Sequence, residues 1–589
     1  MTLAPAPSRL RDPAFAPDLG PNAKYMLRFR YLDDGETPVD LFRRVALNLA
    51  SAEAAFDPSA DVEAWADRFF RLMTDWEFLP NAPTLLGAGR PLQQLHACFV
   101  LPVSDSIESI FSALRMAAIV HSNGGGTGFS FGALRGRGEP IATGGVSTGA
   151  VSFMRLFDAE TEVVKHGGTG WGANMGVLPA RHPDVEEFVR AKAPDGGLRN
   201  FNLSVAVDDA WMHEAASGGD ASALLDLIAS CAWASGDPGL LFLDRIERDN
   251  PVPSLGPLQA TNPCGEAPLL PFEACCLGGL NVSRFVAGND VDWPRLREAA
   301  ALALRLMDNV IEMSRYPLPE IASATRRTRK IGIGVMGFAD LLVALGVPYG
   351  SPRSEDLARD LMREIRVATR AASIELGAER GSFPAFEGSV PARGGIATLR
   401  NATTTSNAPN STIGAIAGCS PGIEPLFALS STRHLASGDT LTEINVAFER
   451  AARAGGFLTE DLLAHVREHG SVRGRDDVPA AVRELFVTAH DLPFERHVAV
   501  QAAFQESTDL GISKTINLPR DATPADVRDA YVLAWELGCK GVTVFRDGCL
   551  EQQFIATGAS PAEVSGAKRP SEGRFEPLTS PDGGCEVCT

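Results

Sequence analysis

Asn262-Pro263-Cys264-Gly265-Glu266 sets one thiol between an amide and a carboxylate, in a stretch where proline and glycine impose a tight, irregular turn. A turn of that kind presents a single sulfur rigidly. Eleven residues after Cys264, Cys275-Cys276 lead into Leu277-Gly278-Gly279-Leu280-Asn281, and far upstream Cys98 sits in His96-Ala97-Cys98-Phe99-Val100-Leu101-Pro102-Val103. Taken singly, each cysteine reads as a small buried packing residue. Together they are candidates for a buried redox site.

Outward from this stretch, between residue 81 and about residue 544, short apolar runs alternate with longer helix-period patterns. Phe99-Val100-Leu101, residues 201–207 and residues 542–545 suit strands, and residues 293–316 and 357–376 suit helices. This alternation predicts an α/β fold with buried strands. Ahead of it, residues 39–56 and 62–78 carry apolar positions at three- and four-residue spacing, which predicts a helical N-terminal region over 1–80. Beyond Asp547 the composition turns to Gly, Pro, Ser and Glu without periodicity, which predicts a flexible tail over 551–589 after a catalytic region of 81–550. The clusters Gly124-Gly125-Gly126, Gly167-Gly168 and Gly196-Gly197 allow the backbone to turn or to approach a ligand.

The 589 residues would make three to four domains at about 150 residues each, although large α/β barrels run longer as one unit. A hydrophobic share of 45% and a charged share of 22% are those of a globular chain, and exclude a disordered or collagen-like one. Acidic residues outnumber basic ones by 73 to 54, a net charge of −19, and no Lys/Arg-rich run appears, so duplex nucleic acid is not an expected partner. No apolar stretch reaches the roughly 18 residues of a membrane span, and residues 1–17 lack a signal-peptide core. A cytoplasmic protein is expected. Ten cysteines are too few for a secreted disulfide scaffold. The terminal Cys585-Glu586-Val587-Cys588 reads either as an exchangeable dithiol or as half of a zinc site. No second Cys-x-x-Cys exists, and His465 and His469 lie far upstream in a helical pattern, so the dithiol is preferred and no metal site is expected.

Further blocks follow in order: Asn81-Ala82-Pro83-Thr84-Leu85, the 124–131 loop, 170–177 with His182-Pro183-Asp184, and Arg199-Asn200-Phe201-Asn202-Leu203-Ser204-Val205. Residues 418–427, Ile512-Ser513-Lys514-Thr515-Ile516-Asn517 and 541–548 complete the set. With these blocks, nearly the whole chain resembles the catalytic chain of ribonucleotide reductases, most closely the adenosylcobalamin-dependent (class II, vitamin B12-dependent) members. The resemblance implies a ten-stranded α/β barrel. It also implies reduction of ribonucleotides, with diphosphates expected, to 2′-deoxyribonucleotides for DNA synthesis and repair.

Carried over residue by residue, the resemblance makes Cys264 the thiyl residue that removes the ribose 3′ hydrogen. Glu266 would take the 3′-hydroxyl proton and Asn262 would hydrogen-bond the substrate hydroxyls. Cys98 and Cys275 would deliver two electrons and become a disulfide, which requires Cα atoms about 4.4–6.8 Å apart. Related chains usually have Asn where Cys276 stands, so Cys275 is chosen while Cys276 stays open as the alternative. Cys585 and Cys588 would be shuttle thiols recharged by thioredoxin or glutaredoxin. Ala82, Ala97 and Gly126, with Asn262, Pro263 and Gly265, would line the substrate pocket. Pro409-Asn410-Ser411-Thr412-Ile413 would take the diphosphate, where related chains more often read Pro-Thr-Gly-Thr. Thr403 to Thr405 and Ser406 nearby read as ordinary helix-capping residues.

A dNTP or ATP specificity effector would bind near Asp158 and residues 160–170, at the interface of a homodimer, with residues 195–200 reading the base. No separate N-terminal ATP-binding cone is recognisable, so control of total activity by dATP is not expected. The Asp-x-His-x-x-Gly motif of other cobalamin enzymes is absent, but class II reductases bind adenosylcobalamin without it. Diiron-partnered relatives instead use a late tyrosine pair; this chain has five tyrosines, Tyr531 is the last, and Phe545 stands where tyrosine is common. Adenosylcobalamin is therefore the expected cofactor. Two alternatives are a chain that needs a separate metal-containing radical subunit and a catalytically silent nucleotide-binding protein. The joint presence of Cys98, Asn262, Cys264, Glu266 and Cys275 opposes the second. Cys231, Cys419, Cys539 and Cys549 read as packing residues, and His497, Gln501 and Gln505 as a polar helix face.

Overall fold

Five apolar strands run parallel through the first half of the chain: β1 (Cys98–Val100), β2 (Gly126–Ser130), β3 (Asn174–Pro179), β4 (Phe201–Val207) and β5 (Gly239–Phe242). Their crossovers are helices such as Ile107–Ser122 and Ala150–Gly167, as parallel neighbours require. The computed structural model describes residues 8–142, 144–167, 172–192, 197–434 and 440–549. The tail expected over 551–589, with Cys585 and Cys588, lies outside the described residues.

A short hairpin of β6 (Ala260–Thr261) and β7 (Pro268–Leu269) precedes the second half. That half begins with β8 (Leu277–Asn281), which pairs in parallel with β9 (Gly332–Met336). Bridges Ile333 to Thr405 and Asn407 to Ile512 add the extended segment 403–407 between β9 and the approach to β10 (Thr515–Leu518), and β10 pairs in parallel with β11 (Gly541–Arg546). The halves meet antiparallel twice, at β11 against β5 and where Phe99 of β1 bridges Ala274 just ahead of β8. The result is a closed ten-stranded α/β barrel of two five-stranded parallel halves.

Closure explains why Thr403, Thr404, Thr405 and Ser406 are not helix caps. All four are buried in a barrel strand, and their hydroxyls are satisfied across it, Thr403 Oγ1 by donating to the Ile331 carbonyl at 3.0 Å and Ser406 Oγ by donating to the Glu266 carbonyl at 3.0 Å. Small hydroxyl side chains tolerate burial when each finds such a partner. His497, Gln501 and Gln505 are likewise buried. From helix Phe494–Gln505 they donate to the carbonyls of Ala489, Gly541 and Leu510 at 2.9, 2.9 and 3.2 Å. A helix face that pins strand ends is polar without being wet.

The N-terminal region is helical as expected, but the segment 39–56 forms two helices, Pro38–Ala50 and Glu53–Phe56, split by a turn at residues 51–52. Thr37 and Asp40 make a reciprocal capping box at Pro38–Ala50, and Asp61 caps Val62–Thr74. The latter helix stops before residue 78 because Trp76 takes a left-handed φ of 59° and Phe78–Pro80 then pairs with β8. Leu41, Phe42, Val45, Leu49, Phe69, Phe70 and Met73 are buried against helix Trp293–Met313. Charge ties the same layers together. Glu53 accepts from Arg305 at 2.6 Å and from Arg380 at 2.7 Å, and Asp308 accepts from Arg329 at 2.6 Å, Arg380 at 2.9 Å and Arg400 at 3.2 Å. Burial alone would raise the Asp308 carboxyl, but Arg329, Arg400 and Arg380 hold it down at about 2. Among the described residues no helix is long and apolar enough to cross a membrane.

Candidate active site

The hairpin of β6 and β7 projects into the barrel, and its loop is the Asn262–Glu266 turn. Its entry depends on two glycines in the wall. At Gly128 of β2 a Cβ would overlap the Thr261 carbonyl oxygen, and at Gly511 a Cβ would stand 3.1 Å from the carbonyls of both Gly265 and Glu266. Only bare backbone lets the hairpin pass this close. Neither glycine was singled out from sequence, although a glycine inside a strand pattern, as in Gly126-Thr127-Gly128-Phe129, signals such an approach.

Within the turn the side chains hold the main chain. Asn262 Oδ1 accepts from Ala267 N at 3.0 Å, Asn262 Nδ2 donates to Glu266 Oε1 at 2.8 Å, and Gly265 N donates to the Asn262 carbonyl at 3.0 Å. From the wall, Asn202 Nδ2 donates to the Pro263 carbonyl at 2.8 Å, and Gly511 N and Ser406 Oγ donate to the Glu266 carbonyl at 2.7 and 3.0 Å. Asn262 and Glu266 are fully buried, whereas Cys264 is partly exposed. Gly265 has the left-handed φ of +85° that the turn requires, and nothing lies within 4 Å of where its Cβ would stand. The turn therefore carries one partly exposed thiol, with an amide and a carboxylate fixed beside it.

Cys98 and Cys275 come together on the barrel wall. Cys275 N donates to the Cys98 carbonyl at 2.9 Å and Val100 N donates to the Glu273 carbonyl at 3.1 Å, on either side of the Phe99–Ala274 bridge. This antiparallel register sets Cys98 directly opposite Cys275. Opposed residues of such a ladder have Cα atoms about 4.5–5.5 Å apart, inside the range a disulfide needs. Cys98, Cys264 and Cys275 share one interior apolar cluster. Cys276 points the other way, into the cluster beneath the N-terminal helices, where its Sγ lies 3.6 Å from the Met307 carbonyl and burial raises its thiol well above the ordinary range. Two residues before Cys98, the buried His96 bonds Ser314 Oγ through Nδ1 at 3.0 Å, and burial pushes it down to about 3.

Some of the other expected positions neighbour this wall and others do not. Cys98 is the register partner of Gly126, whose N–H donates to the Ala97 carbonyl at 2.8 Å, and Asn81, just before Ala82, donates to the Leu277 carbonyl at 3.0 Å. Pro409 to Ile413 lead into helix Ser411–Ala417; Ser411 is exposed, while Asn410 and Thr412 are buried. Asn410 takes a left-handed φ of 56°, and its Nδ2 donates to the Val335 carbonyl at 3.0 Å. Its amide therefore anchors the turn to β9. Asp158 lies apart from the turn, on helix Ala150–Gly167, where Oδ1 accepts from Asn200 N at 2.7 Å and burial raises the carboxyl. Parts of the segments expected to read an effector, residues 168–170 and 195–196, lie outside the described residues. Among the described residues no three His, Cys, Asp or Glu side chains gather as a metal-ligand set.

The chain is similar to proteins of one family. The family model described as "Ribonucleotide reductase, barrel domain" matches residues 96–224, 218–399 and 395–545, and "Ribonucleotide reductase, all-alpha domain" matches residues 17–93. A relative from Mycobacterium tuberculosis (strain CDC 1551 / Oshkosh), named vitamin B12-dependent ribonucleoside-diphosphate reductase, is 46% identical over 554 residues, covering 91% of this chain and 80% of its own. A relative of the same name from Thermoplasma acidophilum is 44% identical over 515 residues, covering 84% of this chain and 67% of its own. Among solved structures, the Actinobacillus ureae class Id ribonucleotide reductase alpha subunit superposes with a TM-score of 0.77 at 23% identity, covering 91% of this chain and 99% of that one, a likeness of fold.

Proposed function

The chain belongs to the ribonucleotide reductase family, and from that premise we propose that it reduces ribonucleoside diphosphates to 2′-deoxyribonucleoside diphosphates with adenosylcobalamin as cofactor. The observation that carries the reading is the Cys98–Cys275 register on the wall that faces the Cys264 turn. Three thiols in one interior cluster are what a radical step followed by a two-electron step demands.

In this reading Cys264, as the thiyl, takes the 3′ hydrogen of the ribose and later returns it. Glu266, held by the Asn262 amide in a site that excludes water, accepts the 3′-hydroxyl proton, and Asn262 orients the hydroxyls. The 2′-hydroxyl leaves as water. Cys98 and Cys275 supply two protons and two electrons and end as a disulfide, which balances the replacement of C–OH by C–H. Ala82, Ala97, Gly126, Pro263 and Gly265 bound the sugar, and Pro409 to Ile413 take the diphosphate. Cys585 and Cys588 shuttle electrons from thioredoxin or glutaredoxin. A dNTP or ATP effector near Asp158 sets substrate choice, and a homodimer in the cytoplasm is the working form.

Cys264 is partly exposed and nothing lies within 4 Å of where a Gly265 Cβ would stand, so Cys264 and Gly265 would face the cofactor on that side of the turn. When bound it supplies a one-electron oxidant for the neighbouring thiol. A tyrosine relay from a separate radical subunit has less to stand on, because none of the five tyrosines belongs to the interior cluster of Cys98, Cys264 and Cys275. Tyr531, the last, is buried among the outer helices with its hydroxyl donating to the Pro238 carbonyl at 2.8 Å.

The test is anaerobic turnover of CDP by the purified chain with dithiothreitol and adenosylcobalamin, with and without dATP, beside Cys264→Ala. Formation of dCDP that needs both cobalamin and Cys264 supports the reading. Activity only after a metal-loaded radical subunit is added would replace the cofactor assignment. Silence with every ribonucleotide, as di- or triphosphate, under both conditions would favour a binding protein.

A further inference from the structure

The strand that carries Cys275 has a neighbour on each side. Cys98 opposes it on one. On the other, Gly332 lies beside Leu277 in parallel register, and Gly332 N donates to the Cys276 carbonyl at 2.9 Å. The paired register begins at Gly332 and Leu277; carried two residues back it would bring Lys330 level with Cys275, on the face where Lys330 meets Glu273, since in-register neighbours on adjacent strands, about 4.8 Å apart, project to the same face. That face is the interior one. Cys98, Cys275 and Leu277 belong to the interior cluster, whereas the intervening Cys276, Ile331 and Ile333 belong to the outer one.

A lysine facing inward at this place is buried and held. Its Nζ lies 2.7 Å from Glu273 Oε2, and each side chain is 2% exposed. The Glu273 carboxylate also accepts from Leu270 N at 2.7 Å and from the Thr328 hydroxyl. The adjoining Ala274 N donates to Thr325 Oγ1 at 3.1 Å. Burying two charges is expensive, and an apolar pair of similar volume often serves stability as well or better. The chemistry described above makes no use of this pair.

We propose that Lys330, held by Glu273, is a positioning residue that stabilises Cys275 as the leaving thiolate when the Cys98–Cys275 disulfide is reduced, so that the incoming thiol attacks Cys98. The inference rests on the reading of Cys98 and Cys275 as the redox pair. In the step, the thiolate of a dithiol reductant bonds to Cys98 Sγ, the Cys98–Cys275 bond breaks, and its electron pair passes to Cys275 Sγ beside the ammonium. The second thiolate of the reductant then displaces Cys98, so the reductant leaves as a disulfide and both cysteines are reduced. Among the described residues, the charged and titratable groups facing Cys275 from the elements packed against it include Glu273 on its own segment, Lys330 on one neighbour, His96 and Cys98 on the other, and Cys264 and Glu266 on the turn; Arg326 acts on His96, and Arg329 acts on Cys276, which faces the opposite way.

The experiment uses the full chain oxidised with diamide and reduced with dithiothreitol, with Cys98 and Cys275 followed by alkylation and peptide mass spectrometry. Lys330→Met is expected to slow reduction about tenfold, since a leaving thiolate without its cation departs more slowly. Lys330→Arg should stay within about threefold, because the charge is kept. Glu273→Gln should reduce no more slowly than the unmodified chain. A purely structural pair predicts instead that Lys330→Met and Glu273→Gln slow alike. With glutathione, a monothiol, the mixed disulfide should accumulate on Cys98. An unchanged rate in Lys330→Met, equal slowing in both neutral variants, or a mixed disulfide on Cys275 overturns the proposal. If Lys330→Met does not fold, Lys330→Gln takes its place. Absence of any Cys98–Cys275 link after diamide, or full turnover in Cys98→Ser, would instead overturn the redox-pair reading beneath it.

Discussion

The main-chain N–H of Cys275 donates to the carbonyl of Cys98 at 2.9 Å, so two cysteines 177 residues apart in sequence face each other across one antiparallel register. Cys276, one residue on, faces the opposite way. Turnover under excess dithiothreitol should therefore fall by roughly two orders of magnitude in Cys275→Ser and in Cys98→Ser. Cys276→Ser should keep turnover and lose about 1–3 kcal/mol of stability, because a hydroxyl replaces a thiol in an apolar layer. Steady-state rates and denaturant titration of the three variants check this, and the opposite ranking of Cys275 and Cys276 would sink it.

Gly128 and Gly511 admit the Cys264 turn. In Gly128→Ala the new methyl collides with the Thr261 carbonyl, which is backbone and cannot swing aside. Overpacking of this kind destabilises by about 1–3 kcal/mol, and here the displacement falls on the reactive thiol. Single-turnover product from the pre-reduced protein should drop by at least about a hundredfold. Gly511→Ala, with its nearest carbonyls at 3.1 Å, should be milder. Equal activity in both variants would contradict the seating of the turn.

Asp308 receives three guanidinium groups where the N-terminal helices meet the barrel. Asp308→Asn leaves buried cations short of a counter-charge and should destabilise by about 3–5 kcal/mol. The carboxyl sits at about 2 when folded, below its ordinary 3.8. A carboxyl depressed on folding stabilises the protein above its unfolded value and loses that contribution as pH falls through the folded one. Stability of the unmodified chain should thus decline between about pH 4 and pH 2, and the Asn variant should lack that part of the decline. Denaturant midpoints across this range measure it.

Asn410 holds a left-handed turn ahead of helix Ser411–Ala417 by donating to the Val335 carbonyl. Asn410→Ala meets the left-handed penalty of about 1–2 kcal/mol and also loses the hydrogen bond, about 1 kcal/mol more. Asn410→Gly loses only the latter. If this turn receives the diphosphate, KM for CDP should rise more in the Ala variant than in the Gly variant, with kcat less affected in both. Identical KM values would remove the turn from the substrate site.

Much of this was legible before folding was considered. Alternating apolar runs and helix-period patterns gave an α/β chain, and residues 201–207 and 542–545 lie in strands as expected. The Asn262–Glu266 turn was legible because its chemistry is local: proline, glycine, an amide and a carboxylate within five residues leave few conformations. The 403–407 strand was not, since a run of Thr and Ser favours caps and turns when only near neighbours are weighed, and its partners Ile331, Ile333, Glu266 and Ile512 are distant in sequence. For the same reason His497, Gln501 and Gln505 looked like a wet face.

By itself the sequence determined the class of fold, the reactive turn and a short set of cysteines, because periodicity and turn chemistry act over a few residues. The tertiary structure decided which cysteine opposes Cys98, which glycines admit the turn and that Lys330 pairs with Glu273, two residues before Cys275. Side chains alternate faces along a strand, so a shift of one residue exchanges interior for exterior, and only the pairing of distant strands fixes that register.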